Sequence, residues 1–226
     1  MTRLLSEHAG ILYPSDPHEL ERLVVPVAME EDLPSPGALN GLPAALIVPH
    51  ASYGYCLPQL RQAFSSTLGL DPELIVALAP LHRPCLLEDT ASGASIFCPE
   101  SAIWETPGGA IKLDEPGARA LSTFLAGGLA RRDCYFQEEY AIELILPFCL
   151  RRFPSVPLFP LLANLHDEAA RLAARTAIQR LTVANPKTLF IISSNTPSDC
   201  GIEWIQAMEG NLERVKPYLY VSKEST

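Results

Sequence analysis

Hydrophobic positions fall into two kinds of stretch along this chain. In one they form short unbroken runs; in the other they recur every three or four residues. The unbroken runs are Ala44-Ala45-Leu46-Ile47-Val48-Pro49-His50, Leu74-Ile75-Val76-Ala77-Leu78-Ala79-Pro80-Leu81-His82 and Thr188-Leu189-Phe190-Ile191-Ile192-Ser193-Ser194. Runs of this length, rich in β-branched residues and bounded by turn formers, predict strands buried on both faces. Val156 to Leu162 reads the same way, weakened by Pro157 and Pro160. Helical spacing covers Pro17–Glu31, through Leu20, Leu23, Val24 and Val27, with Pro26 as a place to stop or kink. It returns over Leu57–Leu68, over Glu115–Leu125 with Asp114 as its cap and Gly127-Gly128 as its break, over Glu138–Arg151 and over Asp167–Thr182. Asp32 to Gly37 is a loop by composition. Between Pro84 and Glu115 turn formers dominate, and only short strands are expected there, at Ser95-Ile96-Phe97 and Ala110-Ile111-Lys112-Leu113.

Strands that alternate with helices of this length predict a mainly parallel central sheet with helices on both faces. At 226 residues, with no internal repeat and the prolines spread through loops, the chain reads as one α/β domain over residues 1–226.

Composition narrows the function. A net charge of -9 argues against nucleic acid, which requires a clustered basic surface. No stretch approaches the ~18 consecutive apolar residues of a membrane span, and the first residues lack the apolar core of a secretion signal. Cys56, Cys85, Cys98, Cys134, Cys149 and Cys200 form no CxxC pair, so reduced thiols in a cytoplasmic protein are expected.

The chemistry-bearing feature is a shared ending. Two of the apolar runs close with proline and then histidine, at His50 and at His82. Ligands of open α/β sheets collect beyond the carboxyl ends of parallel strands. Two strands would deliver two imidazoles to that crevice, and imidazole is the commonest side-chain metal ligand. No phosphate-cradling glycine pattern and no G-x-S-x-G elbow around Ser193-Ser194 competes with this reading.

A series of short motifs in fixed order carries a family resemblance. Ala9-Gly10-Ile11-Leu12-Tyr13-Pro14, Val48-Pro49-His50-Ala51-Ser52-Tyr53-Gly54-Tyr55, Leu78-Ala79-Pro80-Leu81-His82, Glu105-Thr106-Pro107-Gly108-Gly109 with Asp114, Glu139-Tyr140-Ala141-Ile142-Glu143-Leu144-Ile145-Leu146-Pro147-Phe148 and Ile191-Ile192-Ser193-Ser194-Asn195 together resemble the Memo family. The fold of that family is similar to that of class III extradiol ring-cleavage dioxygenases. The resemblance implies that His50 and His82 are the two histidines of the family's cleft, and that iron or copper is the metal to consider. It also implies where this chain departs. Tyr140 stands at the family's third histidine and Asn195 at its aspartate, while Pro197 and Ser198 replace a Cys or Ser followed by His.

A non-haem iron centre uses two imidazoles and a carboxylate with positions left open. Substitutes for the lost ligand are Glu139, Asp199 and Cys200, although Glu139 also suits a carboxylate at a helix N-terminus. Tyrosine, with a pKa near 10, is a poor base at neutral pH, so Tyr140 is expected to pack or to fill the cleft. Tyr53 also flanks it. Two functions follow. One is a divergent, non-catalytic protein whose remnant cleft, with Tyr140, Asn195, Tyr53 and Ser198, binds a small molecule or a protein partner. The other is a metal-dependent oxidoreductase using His50 and His82 with a substitute ligand.

Overall fold

The computed structural model describes residues 2–25, 45–82, 96–125, 128–163 and 168–194, together with the backbone of 215–217. The buried apolar runs do form the sheet. Strands β2 (Ala45–Val48), β3 (Leu74–Pro80), β8 (Leu158–Ala163) and β9 (Thr188–Ser193) are its centre, joined by β4 (Ile96–Cys98), β7 (Leu129–Arg131) and β10 (Val215–Pro217). Their order across the seven-stranded sheet is β10-β2-β9-β3-β8-β4-β7. From β10 to β8 every pairing is parallel; β4 runs antiparallel to β8, and β7 is parallel to β4. A smaller sheet holds β1 (Arg3–Leu5) parallel to β5 (Ile103–Thr106), which turns back into β6 (Gly109–Lys112). Strand β5 has no counterpart in the hydrophobic pattern.

Alternation along each strand feeds two cores, one on each face. Leu46, Val48, Ile75, Ala77, Ala79, Leu158, Leu162, Leu189 and Ile191 pack with α1 (Pro17–Leu23), α2 (Tyr53–Ser65), α5 (Tyr140–Glu143) and α6 (Leu146–Arg152). The opposite residues, among them Val76, Leu78, Phe159 and Leu161, pack with α3 (Glu115–Phe124) and α7 (Glu168–Ala184). The expected mainly parallel sheet with helices on both faces is therefore the fold.

Pro160 sits inside a central strand without harm. The carbonyl of Leu158 accepts from Asp114 N at 2.8 Å on the β4 side, and Pro157 and Ala163 carbonyls accept from Ile75 and Leu81 on the β3 side. Even-numbered residues thus face β4, whose pairing with β8 reaches only Leu162 and Ala163. The missing N–H of Pro160 falls between those contacts, where no ladder bond is lost.

Helix boundaries follow local chemistry. Asp16 caps α1 by accepting from Glu19 N, and Asp114 caps α3 by accepting from Gly117 N. Helix α1 is described as far as Leu23, with the rest of the expected helix and the 32–37 loop outside the described residues. Helix α2 begins earlier than the pattern predicts, at Tyr53, because Ser52 accepts from Gly54 N.

The largest departure is the helix expected over Glu138–Arg151. It is three short helices: α4 (Asp133–Glu138), α5 and α6. Glu139 is extended, with φ -102° and ψ 115°, and its side chain caps α5 by accepting from Ala141 N. Pro147 lies in the first turn of α6, where its missing N–H costs nothing. Apolar spacing survived both breaks, so periodicity alone read through them.

Phe148 locks this broken segment to α2, its ring stacked on Phe64 at 5.1 Å and tilted against Tyr53 at 5.7 Å. Phe148→Ala is expected to cost about 3–5 kcal/mol, read as a lowered urea midpoint. A loss below about 1 kcal/mol would mean α6 is not held by this cluster.

Candidate functional site

The chain after β2 and the chain after β3 lie on opposite sides of β9, at the same carboxyl edge of the sheet. Parallel pairing brings their ends level, so His50 and His82 meet with ring centroids 5.0 Å apart. The two imidazoles expected from the sequence share one site.

His50 is 1% exposed. Its Nδ1 lies 2.9 Å from the Ser193 hydroxyl, which itself donates to the Ala141 carbonyl at 2.7 Å. A hydroxyl has one hydrogen, so Nδ1 is the donor, and the neutral ring carries its lone pair on Nε2. Burial, helped by the neighbouring His82, pushes the pKa of His50 down to about 4 against the opposing effects of Glu139 and the Ser193 backbone.

His82 is held the other way. Its Nδ1 is 3.0 Å from both oxygens of Glu139, and its backbone N–H donates to Glu139 Oε2 at 2.9 Å. The hydrogen bond to Glu139 raises the pKa of His82 although partial burial opposes it. Burial alone would raise Glu139 too, but the His82 ring, the His82 N–H and the Ala141 N–H outweigh it and hold Glu139 low. One imidazole is thus kept neutral and its neighbour favours charge.

Tyr140 stands against this pair. Its ring is parallel to that of His82, 4° off and 5.6 Å away, and 6.1 Å from His50. Burial raises its pKa, and the Glu139 charge adds to the rise. Tyr140 is therefore a neutral phenol facing both histidines, half-buried and packed against the larger core. Tyr53 is placed elsewhere. It is buried, donates from its hydroxyl to the Leu144 carbonyl at 2.8 Å and packs on Phe148 and Tyr13. Asn195, Ser198, Asp199 and Cys200 lie outside the described residues, as do His166 and Trp204.

Two residues of the cluster were not singled out by sequence reasoning. His8 packs its ring edge-on to Tyr140 at 5.8 Å. Glu143, fully buried, accepts from Glu7 N, His8 N, His8 Nδ1 and the Tyr13 hydroxyl. The available signal was Glu139 and Glu143 themselves, two carboxylates four residues apart within an apolar segment. Such groups are almost never buried unless paired.

The family resemblance implies a metal at this pair of histidines. Two imidazoles are suitably oriented, with a carboxylate behind His82 of the kind that supports metal-binding histidines. Both Glu139 oxygens are engaged by His82, and Tyr140 is held as a phenol. Among the described residues no group of three His, Cys, Asp or Glu is placed to hold a metal ion. These residues do not fit an iron centre of two imidazoles and a carboxylate.

Comparison with known proteins agrees with the motif order. A MEMO1 family protein from Pyrococcus furiosus is 31% identical over 193 residues, covering 82% of this chain and 61% of that protein. One from Thermotoga maritima is 25% identical over 197 residues, covering 83% of this chain and 67% of the relative. One from Pyrobaculum arsenaticum is 27% identical over 163 residues, covering 68% and 53%. The chain spans about two thirds or less of the length of these relatives. The model of the Memo-like protein family matches residues 5–197, a span that holds His8, His50, His82, Glu139, Tyr140 and Glu143, and the chain belongs to that family.

Proposed function

We propose that this protein is a non-catalytic member of its family that binds a small polar molecule in the cleft formed by His50, His82 and Tyr140. The observation that carries this reading is the Tyr140 ring, stacked on His82 and facing His50. It supplies bulk and a neutral hydroxyl in place of a titrating imidazole. The likeness of the family to extradiol dioxygenases, with Tyr140 and Asn195 at altered cleft positions, supports a retained fold with changed chemistry. The cleft still offers polar recognition: a neutral imidazole, a carboxylate-backed imidazole and a phenol within one patch.

A second reading is favoured by one specific feature. Both histidines give Nδ1 to a protein partner, as metal-binding histidines commonly do. A metal-dependent oxidoreductase using His50 and His82 with iron or copper would then take a further ligand from Asp199 or Cys200.

Elemental analysis separates the two. Protein purified after expression with iron and copper supplied is expected to carry far less than one equivalent of either, unchanged in a His50→Ala/His82→Ala variant. Near-stoichiometric metal that the double variant loses would overturn the non-catalytic reading in favour of the oxidoreductase.

The split between the histidines also has a pH signature. His50 is neutral in the fold and, with an ordinary pKa near 6.5, charged in the unfolded chain below that value. Its contribution is complete above about pH 6.5 and is lost as pH falls toward 4. A displacement of that size corresponds to on the order of 3 kcal/mol as an upper bound. His82 acts in the opposite sense, its stabilisation present below 6.5 and lost as pH rises through its elevated pKa. Urea unfolding from pH 4 to 6.5 is expected to show a shallower acid loss for His50→Asn than for the parent. Parallel curves would mean that His50 titrates normally.

A further inference from the structure

Helices α3 and α7 leave a groove of about 540 Å³ between them, on the sheet face opposite α5. It reaches Leu74 at the amino end of β3, whereas His82 follows the carboxyl end of the same strand, so it is separate from the histidine cleft. Buried Leu74, Leu121 and Leu181 form its base, while Phe124 and Val183, 43% and 80% exposed, stand at its sides. Ala120 and Ala184 line it as well, and their side chains are too short to fill it. A concavity of this size with mostly apolar walls is the usual form of a small-molecule site.

The cation among its lining residues is Arg180, whose guanidinium carbon lies 3.9 Å from the centroid of the Phe124 ring. A cation over an aromatic face engages its charge without using an N–H. Arg180 has no hydrogen bond or ion pair among the described residues, so its donors have no protein acceptor there. An aromatic ring therefore places a guanidinium at the edge of an apolar groove with its hydrogen-bonding capacity unused.

We propose that this groove binds a small amphiphilic monocarboxylate, its hydrocarbon part along α3 and its carboxylate on Arg180.

Charge and shape each select that class. Arginine stays charged at any working pH, and its planar fork matches the two oxygens of a carboxylate. The rest of the lining suits hydrocarbon, from Gly117 through Ala120 and Leu121 to Phe124. Arg180 marks the Phe124 end. At the other end stands Asp114, whose carboxylate caps α3. Along the helix that interval is about 15 Å, the scale of a medium-length acyl chain. A second anionic group beside Asp114 would be repelled, so one carboxylate is favoured over two.

The test uses the full chain, titrated with decanoate, decanol and decanedioate below their micelle-forming concentrations and followed by calorimetry and by the ring resonances of Phe124. Decanoate is expected to bind about fivefold more tightly than either of the others, the scale of one charge pair at a surface, and to move the Phe124 signals. Arg180→Gln should bring decanoate down to the level of decanol. Arg175→Gln removes the same charge from an exposed position of α7 that does not line the groove, and should leave decanoate binding unchanged. Ala120→Phe fills the groove from an exposed position and should weaken decanoate and decanol alike, with an unfolding midpoint like that of the parent. Added salt should weaken decanoate binding in the parent and leave that of Arg180→Gln unaffected. If decanol or decanedioate binds as tightly as decanoate, or if Arg175→Gln loses as much as Arg180→Gln, the ligand class is overturned. Binding that moves the His50 and His82 ring signals and not those of Phe124 would put the ligand in the histidine cleft. That result, or no response to any of the three probes, would overturn the groove as the site.

Discussion

A carboxylate removed from water without partners costs several kcal/mol, and this fold buries two of them one helical turn apart. Glu139 and Glu143 can be tolerated only if donors converge on them, and the donors come from segments distant in sequence. Glu139 takes the backbone and ring of His82 from the chain after β3. Glu143 takes Glu7, His8 and Tyr13 from the chain's first residues. The need to satisfy two charges thereby fixes the loop after β3 and the N-terminal segment against one short helix. The site is assembled as a consequence of that satisfaction.

The same constraint sets the electrostatics. His82 touches a carboxylate and leans toward charge, while His50 is buried, with its Nδ1 on the Ser193 hydroxyl, and is kept neutral. The 5.0 Å between the rings makes the difference self-reinforcing, since charge on one disfavours charge on the other. Ser193 has a structural part in this. By giving its hydrogen to Ala141 it accepts from His50 Nδ1, and so it fixes the tautomer through a bond that also ties β9 to α5.

The sheet was legible from the sequence because its central strands are buried on both faces and cannot be anything but apolar. The two histidines were legible for a related reason: strand ends in a parallel sheet share an edge, and residues at matching ends meet. Strand β5 was not, since it lies in a small sheet with Ile103, Glu105 and Thr106 only partly buried. The helix over 138–151 was misread because its apolar positions serve the core on both sides of the break. What breaks it is a capping carboxylate in extended backbone, a feature with no hydrophobic signature. His8 escaped notice for a stricter reason. Its place in the cleft depends on Glu143, 135 residues away, and no local pattern encodes a long-range hydrogen bond.

Tyr140 is where sequence and structure meet most closely. A histidine at that position would stand opposite two other imidazoles and bring a third titrating nitrogen to the cleft. The tyrosine at that position brings a larger ring and a hydroxyl that burial and the Glu139 charge keep protonated. The stack on His82 can form because Glu139, the residue just before it, fixes the plane of the imidazole. One residue therefore sets the orientation of the ring on which the next one rests. A change confined to position 140 would consequently alter what the cleft can do without loosening what holds it together, since neither buried carboxylate depends on that side chain. Scaffold and side chain are separable here.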